Sequence, residues 1–229
     1  IPAFVFLPTD RPGKIDLADS ARAAYLQAIA TLRRILSLPD LRRFLLAYLF
    51  YEDGINTVVF FSSVFAGHTL GFTTPEVIGL YILVQLSALI GAWLWSRPTD
   101  LWGPKIVVVC SLLQWCLVCL GAYLVRTKPQ FYLIAIVAGT ALGPAQAASR
   151  VFMAGLIPKG QEAELFGFYA LCGKAAAILG PIVFGLASRL TGGNQRIAVS
   201  AIGLFFVLGL VLVSGVKAGG PTGQLRHSP

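Results

Sequence analysis

The sequence predicts an all-α polytopic membrane protein, with six transmembrane helices preceded by an amphipathic helix at the membrane interface. Three observations carry this reading. Charged residues make up 12% of the 229 residues and hydrophobic ones 56%, whereas an average soluble domain is about 25% charged. Mean hydropathy is +0.76. Windows free of Asp, Glu, Lys and Arg recur at 54–75, 77–96, 106–125, 129–149 and 197–216. A bilayer core of roughly 30 Å takes about 20 apolar residues of helix to cross. This composition excludes a disordered chain and argues against an ordinary soluble domain. The net charge of +8 then becomes a question of which membrane face holds the excess, not a sign of nucleic-acid binding.

In chain order, residues 1–43 read as a central cytoplasmic loop carrying the amphipathic helix. Ile1–Leu7 is apolar and ends at Pro8; seven residues cannot cross a bilayer, so the stretch reads as the tail of an earlier helix. No basic leader precedes an apolar core, so a signal peptide is not expected. Between Asp16 and Asp40, Leu17, Ala21, Ala24, Ala28, Leu32 and Ile35 recur at helical spacing, punctuated by Arg22, Arg33 and Arg34. That stripe suits a helix lying in the interface, stopped by Ser37-Leu38-Pro39. Residues 44–216 form the bundle, with spans at about 44–66, 77–96, 106–125, 130–150, 163–188 and 197–216. The first contains Glu52 and Asp53, and the fifth is broken only by Lys174. Residues 217–229 are a cytoplasmic tail.

With the segment before the first span placed in the cytoplasm, thirteen of the 18 basic residues lie on that side. Only Arg126, Lys128, Arg189 and Arg196 lie opposite, a positive-inside bias that puts both termini in the cytoplasm. The four cysteines, Cys110, Cys116, Cys119 and Cys172, lie in apolar stretches and read as small hydrophobes. No metal site and no cofactor is expected. The two histidines, His68 and His227, form no His-Glu-x-x-His pattern, and no loop is long enough for a catalytic domain, so the chain does not read as an enzyme.

An ionisable group inside the membrane is a functional candidate by default. Asp53 lies about 14 Å into the first span and Lys174 about 16 Å into the fifth, at 1.5 Å per residue. Both helices enter from the same side, so the two charges reach one level and can pair. Asp53, Asn56, Thr57 and Phe60 share one helical face, and Gly139, Gly143, Gln146 and Arg150 share another. Asp53, Asn56, Lys174 and Gln146 are therefore the candidates for a solute or proton pathway. Glu52 is about 100° round the helix from Asp53 and is expected to point elsewhere.

The segment from Gly91 through Arg97, Asp100 and Gly103 to Lys105 reads as a short loop. Its order of glycine, arginine, aspartate, glycine and lysine resembles the loop signature of the major facilitator superfamily, with Leu101 where a basic residue is common. Arg150 is expected at the cytoplasmic edge, as a latch partner for Asp100 or a local partner for Glu164.

Three further stretches narrow the resemblance. One runs from Phe44 through Tyr48, Glu52, Asp53, Gly54 and Asn56 to Phe61. Another joins Gln146, Ser149 and Arg150 to Pro158 and Lys159. The third links Glu164, Gly167 and Tyr169 to Gly173-Lys174 and Gly180-Pro181. Together these resemble the C-terminal six-helix half of the vacuolar amino-acid effluxer family, the autophagy-related permeases and their bacterial relatives. The resemblance implies one half of a major facilitator fold and secondary transport, by efflux or uptake, of amino acids or similar small solutes, with protons the candidate coupling ion. It also implies an N-terminal six-helix half as partner, and residence in a cell membrane if bacterial or a vacuolar membrane if fungal. The alternative is a non-transporting half that serves as a membrane interaction module. The partners expected are the lipid bilayer, that other half and a small-molecule solute, with no nucleic acid.

Overall fold

Prolines and hydroxyl caps set where the helices begin. In this computed structural model, which describes residues 17–217, helix α1 spans Leu17–Ser37 and forms a unit of its own. It ends where the sequence predicts, because Leu38 precedes a proline and is extended. The second unit contains α2 (Pro39–Leu70), α3 (Thr74–Trp102), α4 (Pro104–Leu124), α5 (Lys128–Leu156), α6 (Glu162–Ala175), α7 (Leu179–Leu190) and α8 (Gln195–Ser214). A proline stands in the first turn of α2, α3, α4 and α5, where its missing N–H costs nothing. Thr73 with Glu76 and Thr127 with Gln130 close capping boxes at α3 and α5. The apolar stretch Ile1–Leu7 and tail residues 218–229 lie outside the described residues.

Six helical segments are long and apolar enough to span a membrane, with α6 and α7 together forming the fifth, Glu162–Leu190. The chain is a multi-pass integral membrane protein. Three boundaries differ from the sequence reading. The first span is longer than 44–66, because α2 continues through the part read as loop and stops at Gly71, in the left-handed region at φ 67°. The segment 91–105 is not a loop: it stays helical to Trp102, and only Gly103, at φ 88°, interrupts it before α4. The fifth span is not one helix but two, broken at 176–178.

The tightest packing joins α3 to α5. A Cβ at Gly91 would lie 2.6 Å from the Thr140 carbonyl oxygen, and one at Gly139 would lie 2.5 Å from Ser87 Cβ. At Gly143 a Cβ would overlap the Ala88 carbonyl oxygen. Pro144 inside α5 cannot donate to the Thr140 carbonyl, and that freed carbonyl is the group lying against Gly91. The Thr140 hydroxyl accepts a bond from Gln114 Nε2 of α4 at 2.8 Å. Small residues let two backbones approach closely where water offers no hydrophobic drive. Gly91 therefore serves helix packing, not a turn.

Basic side chains tie the helix ends. Lys105 Nζ donates to the carbonyls of Ser214 (2.9 Å) and Val216 (2.6 Å), and Arg43 donates to Gly215 (3.1 Å). The Lys217 amide donates to Asp40 at 3.0 Å. Arg196 donates to the carbonyls of Tyr123, in the last turn of α4, and Val125, just beyond it. Cations at helix C-termini complement the helix dipole.

Gly143→Val should destabilise the bundle by about 2 kcal/mol or more, as overpacking does. Thermal unfolding of the detergent-purified protein measures this; a melting temperature equal to the parent's would show that α3 and α5 do not meet there.

Candidate functional site

The fifth span breaks because Pro181 cannot supply the N–H that the Ala177 carbonyl needs, and its ring clashes with that turn. A break inside a membrane leaves backbone groups that water cannot reach, so protein must satisfy them. Helix α2 does so with residues one turn apart. Asp53 Oδ2 accepts the Leu179 N–H at 3.0 Å, and both Asp53 oxygens accept the Gly180 N–H at 3.0 Å. Asn56 Nδ2 donates to the Ala176 carbonyl at 2.6 Å. A carboxylate at a helix N-terminus also meets the positive end of the dipole. Gly180 permits the approach, since a Cβ there would overlap Thr57 Oγ1 and lie 2.7 Å from Asp53 Oδ1.

Beside this joint lies an open cavity of about 960 Å³, at the upper end of the range for small-molecule sites. Its wall carries three charged residues: Glu52 from α2, Arg150 from α5 and Lys174 from α6. Glu52 lies about 20 Å along α2 and Lys174 about 18 Å along α6, at 1.5 Å per residue, so both sit deep in their spans. Lys174 stands in the last helical turn before the break. Tyr48, Phe60, Phe166 and Tyr169 supply an aromatic wall, and Asn56 and Thr57 add polar edges. Tyr48 and Tyr169 stack with centroids 4.1 Å apart. Behind them Phe44 is fully buried against Phe152, centroids 4.8 Å apart, and Tyr51 is hydrogen-bonded to Ser149 at 2.6 Å.

The predicted candidates divide accordingly. Asn56 and Lys174 line the cavity, and so does Arg150. Asp53, 1% exposed, is held by the α7 amides and forms no ion pair with Lys174, whereas Lys128 and Glu76 pair at 2.8 Å. Gln146 is exposed and does not line the cavity. Arg97 and Asp100 are exposed near the end of α3, and Arg150 makes no ion pair with Asp100. Lys105 is spent on the carbonyls that follow α8. Sequence reasoning counts Glu52 among the intramembrane charges but leaves it off the pathway, because it ranks Asp53 first and places the neighbour's face elsewhere. The signal available was Pro181, which marks a helix break and hence a demand for an acceptor.

Residues 1–219 match the family described as "Vacuole effluxer Atg22 like". The chain belongs to this family. Among relatives of this Atg22-like chain is the uncharacterized MFS-type transporter YxiO of Bacillus subtilis, 32% identical over 186 residues, which cover 81% of this chain and 43% of that protein. Autophagy-related protein 22 of Cryptococcus neoformans is 29% identical over 93% of this chain and 40% of its own. Autophagy-related protein 22-1 of Aspergillus fumigatus is 29% identical over 89% and 35%. The chain thus spans about two-fifths of the length of the relatives it matches.

Asp53→Ala should leave two buried amides without an acceptor and cost about 2–3 kcal/mol, while Asp53→Asn, which keeps one acceptor oxygen, should cost less. Thermal unfolding in detergent ranks the two; equal melting temperatures for both variants and the parent would remove Asp53 from the joint.

Proposed function

We propose that this chain contributes one wall of the solute pathway of a secondary transporter. The observation that carries the reading is an open cavity, deep in the spans, lined by a carboxylate and two cations against an aromatic wall. Charges inside a membrane are costly and are kept where they meet a substrate or each other. A free amino acid matches this wall: its carboxylate meets Lys174 and Arg150, its ammonium meets Glu52, and its side chain lies against Tyr48, Phe60, Phe166 and Tyr169. The family description and the transporter relative support the transport part of this reading. A second six-helix half, in the portion of the relatives that this chain does not cover, closes the cavity from the other side. Arg150 also remains available as a latch toward Asp100 in another conformation of the transport cycle.

The test is counterflow of labelled amino acids in vesicles containing the full-length protein. Exchange should be saturable and strongest for neutral amino acids with aromatic or large apolar side chains. Lys174→Gln removes one charge-assisted contact and should raise KM about 10- to 100-fold. Absence of counterflow for every amino acid in the panel would reject this solute class.

A further inference from the structure

Two adjacent carboxylates on α2 have opposite situations. Asp53 has its oxygens occupied by the Leu179 and Gly180 amides. Glu52 is 8% exposed, opens onto the cavity and forms no ion pair within 4 Å. It is the one acid among the described residues that line the cavity. We propose that Glu52 is the exchange site of the transporter: a proton and the ammonium of the solute occupy its carboxylate in turn, so that solute and protons move in opposite directions. This rests on the amino-acid reading above and adds to it the coupling residue and the sign of the coupling.

An ionised carboxylate at the depth of Glu52 is costly without a cation in contact, and protonation removes the cost. The titratable groups around Glu52 are Tyr48 and Tyr51 on its own helix, Arg150 on α5, and Tyr169 and Lys174 on α6. Arg150 and Lys174 share its cavity but do not reach ion-pair distance. A solute ammonium does reach it, because it is small and arrives with its own carboxylate directed to Lys174. The ammonium donates hydrogen bonds to the oxygens that the proton had occupied, and the proton leaves to water in the cavity. The two ligands therefore exclude each other. By linkage, each solute bound releases a proton, and each proton taken up at the opposite membrane face expels a solute. Asp53 is not placed for this exchange, because its oxygens are engaged by the Leu179 and Gly180 amides and it does not line the cavity.

The experiment uses the full-length protein with phenylalanine as probe. Adding phenylalanine to weakly buffered, detergent-purified protein with a pH dye should release close to one proton per molecule bound. Phenylalanine affinity should fall about tenfold for each pH unit below the pKa of Glu52 in the empty cavity, the slope of one-site competition. Glu52→Gln should lose both the proton release and the pH dependence, and Glu52→Asp, which keeps the carboxylate, should restore them. Parent protein that exchanges phenylalanine in counterflow without releasing protons would overturn the proposal while leaving the transport reading intact, and this result does not depend on any variant folding. Undiminished proton release in Glu52→Gln would equally overturn it. If neither phenylalanine nor any other amino acid shows counterflow, the solute reading fails and the exchange site fails with it.

Discussion

The site depends on the hydrogen bonds between the Asp53 carboxylate and the first amides of α7. Pro181 favours the break, and the surroundings make it expensive, because lipid offers nothing to an unpaired N–H or C=O. Asp53 answers the donors and Asn56 answers the Ala176 carbonyl. Gly180 keeps α7 close enough for this to work. With the joint held, α6 ends just after Lys174, and the lysine lines the cavity. The cation and the carboxylate that the sequence suggests as a pair are thus linked through structure, one holding the joint beside which the other stands.

This arrangement separates two duties within a few residues of α2. Each step along a helix turns the side chain by about 100°, so Tyr51, Glu52 and Asp53 address three different neighbours. Tyr51 meets Ser149 of α5, Glu52 meets the cavity, and Asp53 meets the broken backbone. An acid whose oxygens are engaged by two amides holds the joint. An acid facing a cavity is open to a ligand. The same side-chain chemistry therefore serves rigidity in one place and exchange in the other.

The rest of the bundle keeps these elements in register. The α3–α5 seam is built from Gly91, Ser87, Ala88, Gly139 and Gly143, and it fixes α5, which carries Arg150 to the cavity. Lys105, Arg43 and Arg196 bond carbonyls at or just beyond helix C-termini, so these basic residues serve the fold. Arg97 and Asp100 are left exposed near the end of α3.

Fold class was legible because it follows from composition and period. A window of 20 apolar residues has one good solution in a bilayer, and six predominantly apolar segments with short connections leave little choice of architecture. The Glu52–Asp53–Asn56 stretch and Lys174 were legible as candidates for the same reason: charge inside a span is costly and calls for a partner or a ligand. Which partner each one took was not legible. Spacing along one helix reports relative faces, but not which neighbour each face meets. The competitor for Asp53 was the backbone of another segment, whose unmet N–H groups appear in no list of charged residues. Gln146 likewise shares a helical face with Arg150 in sequence, yet it lies outside the cavity. The sequence by itself determined the number of spans, the family pattern and the set of intramembrane charges. Only the tertiary structure decided which carboxylate is closed and which is open, because that depends on where the broken helix ends lie in space.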